Sequence, residues 1–314
     1  MAMTSTADRA ADTDAALPYR HYDAVAEQSA ALVIRSYSSS FGLASRLLTA
    51  SVRRDVHNIY ALVRVADEIV DAPRPGQSVE QRRMALDALE AETHSAMASG
   101  SSTNLVVHAF ARTARRTGID SALTTPFFAS MRTDLDRAGH DADSLATYIY
   151  GSAEVVGLMC VHAFLADEPH RKARYDQLAP GARRLGAAFQ KINFLRDIGD
   201  DSNELGRRYL VGLDPERPSA QAWHGWLDDI DRDLDCAAQA IPLLPSGTRV
   251  AVCTAHDLFA ELADRLRATP PEVACRQRIR VPGPVKARIA GTAALRRGLP
   301  RRSGSRRSGQ AGRA

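Results

Sequence analysis

The chain has 314 residues, 45% of them apolar and 25% charged, with a formal net charge of +4. That length suits one large domain or two small ones, and the composition is that of an ordinary globular protein. Nine basic residues and no acidic ones lie between Lys286 and Ala314, so the preceding chain is net acidic, which argues against a nucleic-acid-binding core.

Residues 1–17 are rich in Ala, Thr and Asp and lack a basic region followed by an apolar one. They read as a disordered N-terminal arm, not a signal peptide. No stretch approaches the roughly 20 apolar residues of a membrane span. The four cysteines, Cys160, Cys236, Cys253 and Cys275, have no CxxC spacing and read as reduced, buried thiols of a cytosolic protein. The nine histidines form no HExxH pattern, which argues against a zinc hydrolase.

The first predicted helix covers Ala24 to Tyr37, inside an entry segment that runs to about Ser51. Ser38-Ser39-Ser40 then interrupts it, either as a solvated break or as hydroxyl and backbone donors to an anion. Asp55 to Asp71 is predicted helical and stops at Ala72-Pro73-Arg74-Pro75-Gly76. Helices follow over Val79 to Ala98, Asn104 to Thr117 (closed by Gly118) and Pro126 to Ala138. A long one is predicted over Leu145 to Leu165, with Gly151, Ser152, Ala153 and Gly157 inside it. Those small residues admit either a close helix or a ligand. Pro180-Gly181 is read as preceding the next helix, which carries Leu185 to Asp201. Further helices are expected over Ala220 to Ala240, Thr248 to Ala268 and Val285 to Leu295. Hardly any segment alternates with period two, so the fold class is all-α: one domain over 18–295, with a basic disordered tail over 296–314. The tail is either a solvated extension or a weak attachment to anionic lipid.

Two of these helices carry related stripes. In the later one, Gln190, Asn193, Asp197 and Asp201 fall on one face of an otherwise apolar helix. In the earlier one, Tyr60, Arg64, Asp67 and Asp71 do the same. An isolated pair of aspartates four residues apart fits a helix cap or a solvated face. Its duplication on two apolar helices points to helices facing each other across a cavity, because bare carboxylates there need compensation. Oxygen ligands without His or Cys suit Mg²⁺, part of whose shell is left to water and phosphate.

At these residues the chain resembles the squalene and phytoene synthases, head-to-head prenyl transferases with the isoprenoid synthase fold. The resemblance runs from about Ser36 to Arg288. It rests on Ser38-Ser39-Ser40-Phe41 with Ala44-Ser45-Arg46, and on Tyr60 to Asp71. It continues in Tyr148-Ile149-Tyr150-Gly151 with Val156-Gly157-Leu158-Met159, in Gln190 to Asp201 and in Gly206-Arg207-Arg208-Tyr209-Leu210. Glu68 stands where many relatives carry a second Asp. Ser152 and Glu154 replace small or apolar residues of the central helix, and Glu154 would be awkward if it faced the cavity.

The resemblance implies a helical bundle around a central cavity that holds two allylic diphosphates. It implies Mg²⁺, with Mn²⁺ able to substitute, on Asp67, Asp71, Asn193, Asp197 and Asp201. Arg64, Arg196 and Arg207 would bind phosphate oxygens. Ser38, Tyr60, Tyr148 and Tyr209 would place donors near the diphosphates, Tyr148 as a catalytic group, and Gln190 would line the same face. The expected product is phytoene, from two geranylgeranyl diphosphates by way of prephytoene diphosphate, the first committed step of carotenoid biosynthesis. The ending Arg276 to Arg288 resembles that of bacterial carotenoid-pathway members. No NADPH is expected. The expected location is cytoplasmic, with peripheral contact at the inner face of the membrane and neighbouring carotenoid-pathway enzymes as partners. The alternatives are a squalene, hydroxysqualene or dehydrosqualene synthase using farnesyl diphosphate, a terpene cyclase, and a non-catalytic helical scaffold.

Overall fold

The computed structural model describes residues 17–72, 74–136, 139–204 and 208–295; for 17–18 and 200–204 the backbone alone is described. The arm expected over 1–16 and the tail expected over 296–314 lie outside the described residues. Among the described residues no strand forms, and the single β contact is an isolated bridge between Gly139 and Arg208.

The chain folds as α1 (Leu17–Tyr37), α2 (Ser39–Ser45), α3 (Ala50–Asp71), α4 (Val79–Ser99), α5 (Leu105–Thr117) and α6 (Ser121–Asp136). It continues with α7 (Ala142–Ile149), a π turn (Tyr150–Glu154), α8 (Val155–Phe164) and α9 (Arg171–Glu204). The last helices are α10 (Ala220–Ala240), α11 (Ser246–Ala268), α12 (Pro271–Ala274) and α13 (Gly283–Leu295). Local chemistry sets many boundaries. Ser78 and Gln81 form a reciprocal capping box at the start of α4, and Gly100 ends it in the left-handed region with φ 92°. Asn104 caps α5, and Gly118 ends it with φ 79°. The Asp120 carboxylate accepts from the Ala122 amide at 3.0 Å, which starts α6 more than a turn ahead of the expected Pro126.

Two expectations fail for tertiary reasons. Pro180 does not precede a helix but lies within the 34-residue α9. A proline inside a helix forfeits one hydrogen bond at about 3 kcal/mol, and packing of the residues on either side of it offsets that. Leu178 is buried, and a Cβ at Gly181 would come within 2.3 Å of the Ala240 Cβ, so α10 lies directly against this turn. The predicted continuous helix over Leu145 to Leu165 is broken by the π turn. There α6 approaches so closely that a Cβ on Gly151 would sit 2.2 Å from the Pro126 carbonyl oxygen and the Ser130 Oγ. π turns of this kind recur at functional sites. The glycines serve close packing, Gly157 abutting the Ala182 carbonyl and Gly186 the Ala153 carbonyl, while Ser152, Ala153 and Gly157 also line the interior cavity.

The helical run Ala142–Phe164 is also long and apolar enough to cross a membrane, contrary to expectation. In this fold it is a core element, with Gly151, Val155, Leu158, Met159, Val161 and Ala163 buried. Glu154 points away from the cavity, where its Oε2 accepts from Arg183 Nε at 2.6 Å.

Two apolar cores frame the interior. One gathers Leu86, Phe110, Phe127, Phe128 and Met159. The other gathers Ile192, Phe194, Leu227, Ile230 and Trp223, whose indole N–H donates to the Leu266 carbonyl at 3.2 Å.

Candidate active site

A cavity of about 930 Å³ lies within the bundle. Its wall is written by three helical stripes. On α3 it runs Asp71, Asp67, Arg64, Tyr60 and Val56. Along α7, the π turn and α8 it runs Tyr148, Ser152, Val156, Cys160 and Phe164. On α9 it runs Asn193, Gln190, Gly186, Ala182 and Leu178 from Asp197 inward. Each stripe is polar at one end and apolar at the other, and the ends coincide. At the polar end the Tyr148 ring lies 6.0 Å from that of Phe194 on α9. At the apolar end Leu178, Val161, Leu165, Ile241 and Leu244 form one cluster. Between them Phe41, Phe189 and Phe259 meet, with Phe189 stacked on Phe259 at 3.9 Å.

The first acidic stripe is crowded. Burial, and then the neighbouring Asp71 charge, push the Asp67 carboxyl up to about 8. Arg64 lowers it, but Arg64 is itself turned toward Glu68, with Nε 3.1 Å from Oε2, and lies 4.4 Å above the Tyr37 ring. Glu68 therefore serves as the guanidinium's partner. Tyr60 has its phenol raised by burial and lies within 6.5 Å of Phe41.

The second stripe is held differently. Arg196 Nε donates to Asp197 Oδ1 at 2.8 Å, and its terminal nitrogen bonds Oδ2. Arg278, reaching in from beyond α12, adds contacts of 3.1 Å to Oδ1 and 3.4 Å to Oδ2. Gln190 and Asn193 line the same wall. Asp201 lies on α9, but its side chain is outside the described residues, as is the whole of Arg207.

Ser38 caps α2, its hydroxyl accepting from the Phe41 amide at 3.1 Å. The two tyrosines converge on a residue that sequence reasoning missed. Tyr148 donates to Asp134 Oδ2 at 2.7 Å and Tyr209 to Oδ1 at 2.8 Å. Both rings are buried, and Tyr209 stacks on Phe194 at 4.2 Å. Burial and the Asp134 charge hold the Tyr148 phenol well above its usual range. These hydroxyl protons thus point at Asp134, not at the cavity as donors. Asp134 was detectable: it continues the stripe of Phe127 and Met131 on the buried face of α6.

Also missed were Arg280 and Lys286, which line the cavity beside Arg278. Lys286 belongs to the site and not to the basic tail. Its Nζ donates to Ser39 Oγ at 2.7 Å, and burial, then Arg196 and Arg280, lower its ammonium. Among the described residues no three His, Cys, Asp or Glu side chains converge on a ready-made metal site. The cysteines are free thiols, but the expectation that all four are buried holds only for Cys275: Cys160 and Cys253 are half-buried, and Cys236 lies on an exposed face of α10. Burial pushes the Cys160 thiol in the cavity wall up to about 12.

This arrangement can take an anion at a cationic rim, a cation between carboxylates, and long apolar chains below. The squalene/phytoene synthase family profile matches residues 34–284. The chain is 33% identical over 179 residues to chloroplastic phytoene synthase 3 of Zea mays and 34% over 191 residues to chloroplastic phytoene synthase 1 of Arabidopsis thaliana. These matches take in 57% and 60% of this chain but only 41% and 43% of those relatives, less than half their length. The 15-cis-phytoene synthase of a Paracoccus species is 28% identical over 270 residues, 81% of this chain and 86% of that one. A dehydrosqualene synthase crystal structure superposes with a TM-score of 0.73 at 20% identity, covering 88% of this chain and 98% of the other. The squalene synthase HpnC of Alicyclobacillus acidocaldarius superposes with a TM-score of 0.65 at 20% identity, covering 77% and 93%. The chain has the isoprenoid synthase fold and belongs to the squalene/phytoene synthase family.

Proposed function

We propose that this protein is a phytoene synthase, joining two geranylgeranyl diphosphates head to head through prephytoene diphosphate. The observation that carries the reading is the graded cavity, charged at one end and apolar at the other, in a chain whose relatives include a phytoene synthase matched over 86% of its length.

The residues fit a divalent cation. Burial, and then the neighbouring Asp71 charge, push the Asp67 carboxyl up to about 8, a position in which a divalent cation would favour the ionised form. Asp67, Asp71, Asp197 and Asn193, with Asp201, would hold Mg²⁺ or Mn²⁺, the remaining positions going to phosphate oxygens and water. When bound, the metal supplies Lewis-acid neutralisation of the departing diphosphate.

The chain's own groups do the rest. Arg64, Arg196, Arg278, Arg280 and Lys286 gather the negative diphosphates at one end, the guanidiniums through bidentate contacts. Tyr60, Phe41, Phe189 and Phe259 offer ring faces to the allylic cation in mid-cavity. Asp134 fixes the Tyr148 and Tyr209 rings, so the polar end keeps one shape. The wall from Val56 to Phe164 and Leu178 holds the prenyl chains and keeps water from the cations. The second rearrangement ends by loss of a proton, so no NADPH is required. The hydrocarbon product has little affinity for water, so we expect release to a membrane surface or to a neighbouring pathway enzyme. We place the protein in the cytoplasm.

Incubation with geranylgeranyl diphosphate and Mg²⁺, without NADPH, should yield a C40 hydrocarbon with a conjugated central triene. A cyclopropyl diphosphate that accumulates until NADPH is added would move the protein to the squalene branch. No product from either geranylgeranyl or farnesyl diphosphate would revive a scaffold role.

A further inference from the structure

We infer that segment 275–282, between α12 and α13, is a strap whose Arg278 holds Asp197 closed until a divalent cation and a diphosphate enter together. The inference rests on the reading that Asp197 is a cation ligand; what it adds is how that ligand is kept before loading.

Both Asp197 oxygens accept from the adjacent Arg196, and both are also in contact with Arg278, 81 residues away, which donates to Oδ2 and brings its Nε within 3.1 Å of Oδ1. The strap is pinned on either side of Arg278. Behind it, a Cβ on Gly199 would lie 2.1 Å from the Cys275 carbonyl oxygen, so strap backbone rests directly on α9 two residues past Asp197. Ahead of it, Val281 is buried, and Lys286 ties the start of α13 to Ser39. Between the pins Arg276, Gln277, Arg278 and Arg280 are exposed on irregular backbone, while Ile279 is half-buried. The contact is therefore firmly sited yet made by a side chain free to swing into the cavity it lines.

A carboxylate whose oxygens face two guanidiniums has no good position for a divalent cation, and an arriving cation also meets the like charges of Arg196 and Arg280. A diphosphate changes this, because it gives Arg278 a more highly charged bidentate partner. The guanidinium moves to the phosphates, and Asp197 is released to the metal. Each ligand thus removes the obstacle to the other, a positive coupling between two sites.

The test is Mn²⁺ binding to the full chain without substrate, read by the electron paramagnetic resonance of free ion, for wild type, Arg278→Gln, Arg278→Lys and Asp197→Asn. Arg278→Gln should bind Mn²⁺ more tightly by up to about fivefold, the upper end of what an exposed ion pair contributes, and Arg278→Lys should return toward wild type. Asp197→Asn should bind more weakly. Without metal, Asp197→Asn should also be cut several-fold faster by trypsin within 275–282, with cleavage elsewhere unchanged. If Asp197→Asn weakens Mn²⁺ binding but Arg278→Gln does not tighten it, the strap inference falls alone. If Asp197→Asn binds Mn²⁺ like wild type, the cation reading of Asp197 falls, and the strap with it.

Discussion

The two acidic stripes look alike in sequence and are opposite in electrostatic state. On α3, Asp67 sits beside Asp71 with its nearest guanidinium turned to Glu68, and its carboxyl is driven up to about 8. On α9, Asp197 is enclosed by Arg196 and Arg278. One stripe lowers its charge by taking a proton, the other by taking arginines. On the proposed reading, in which the site receives a cation and an anion together, both halves are thus kept from standing bare and charged before they arrive.

Breaking either half should have the largest effect. Asp67→Ala and Asp197→Ala should each reduce turnover about a thousandfold or more, several kcal/mol of lost transition-state stabilisation, while helical circular dichroism stays intact. Near-normal activity in either variant would remove that stripe from the chemistry.

Asp134→Asn should lower kcat about tenfold to hundredfold, the usual range for a residue supporting functional groups from behind. It keeps the volume but weakens the acceptor that holds Tyr148 and Tyr209. Steady-state kinetics on both allylic substrates would measure it.

The asymmetry also predicts a pH signature for the α3 half. Folded Asp67 keeps its proton up to about 8, whereas in the unfolded chain it ionises near the ordinary aspartate value of 3.8. Between those values the folded state binds more protons, so this group makes the metal-free protein less stable as pH rises through that window, and adds no further change above it. Asp67→Asn should therefore raise the melting temperature of the metal-free protein at pH 8, on the order of 3 °C, with no gain at pH 4. Equal shifts at both pH values would mean that the substitution acts through packing and not charge.

The apolar end offers a smaller change. Cys160→Phe fills part of the floor shared with Phe164 and Leu244, and should shift substrate preference from the C20 toward the C15 diphosphate with little loss of total turnover.

Much of this arrangement was legible in the sequence because it is local. The stripe from Tyr60 to Asp71 and that from Gln190 to Asp197 follow from helical spacing, and both line one cavity. The Trp-bearing helix Ala220–Ala240 was placed at its observed ends. What escaped depends on contacts between distant segments. Lys286 meets Ser39 across 247 residues and Arg278 meets Asp197 across 81, and no periodicity encodes such pairs. Asp134 lay on a correctly predicted helix, but that α6 faces the cavity is a tertiary fact. Pro180 and the π turn show local rules overridden by packing, through Leu178 and Gly181 in one case and Gly151 in the other.

The most direct measurement of the central claim is a competition. Purified protein is given equimolar geranylgeranyl and farnesyl diphosphates with Mg²⁺ and no NADPH, and the extracted hydrocarbons are separated by chain length. A C40 triene as the main product, absent when Mg²⁺ is withheld, is the predicted result. A predominance of C30 product, or product formation that ignores Mg²⁺, would contradict it.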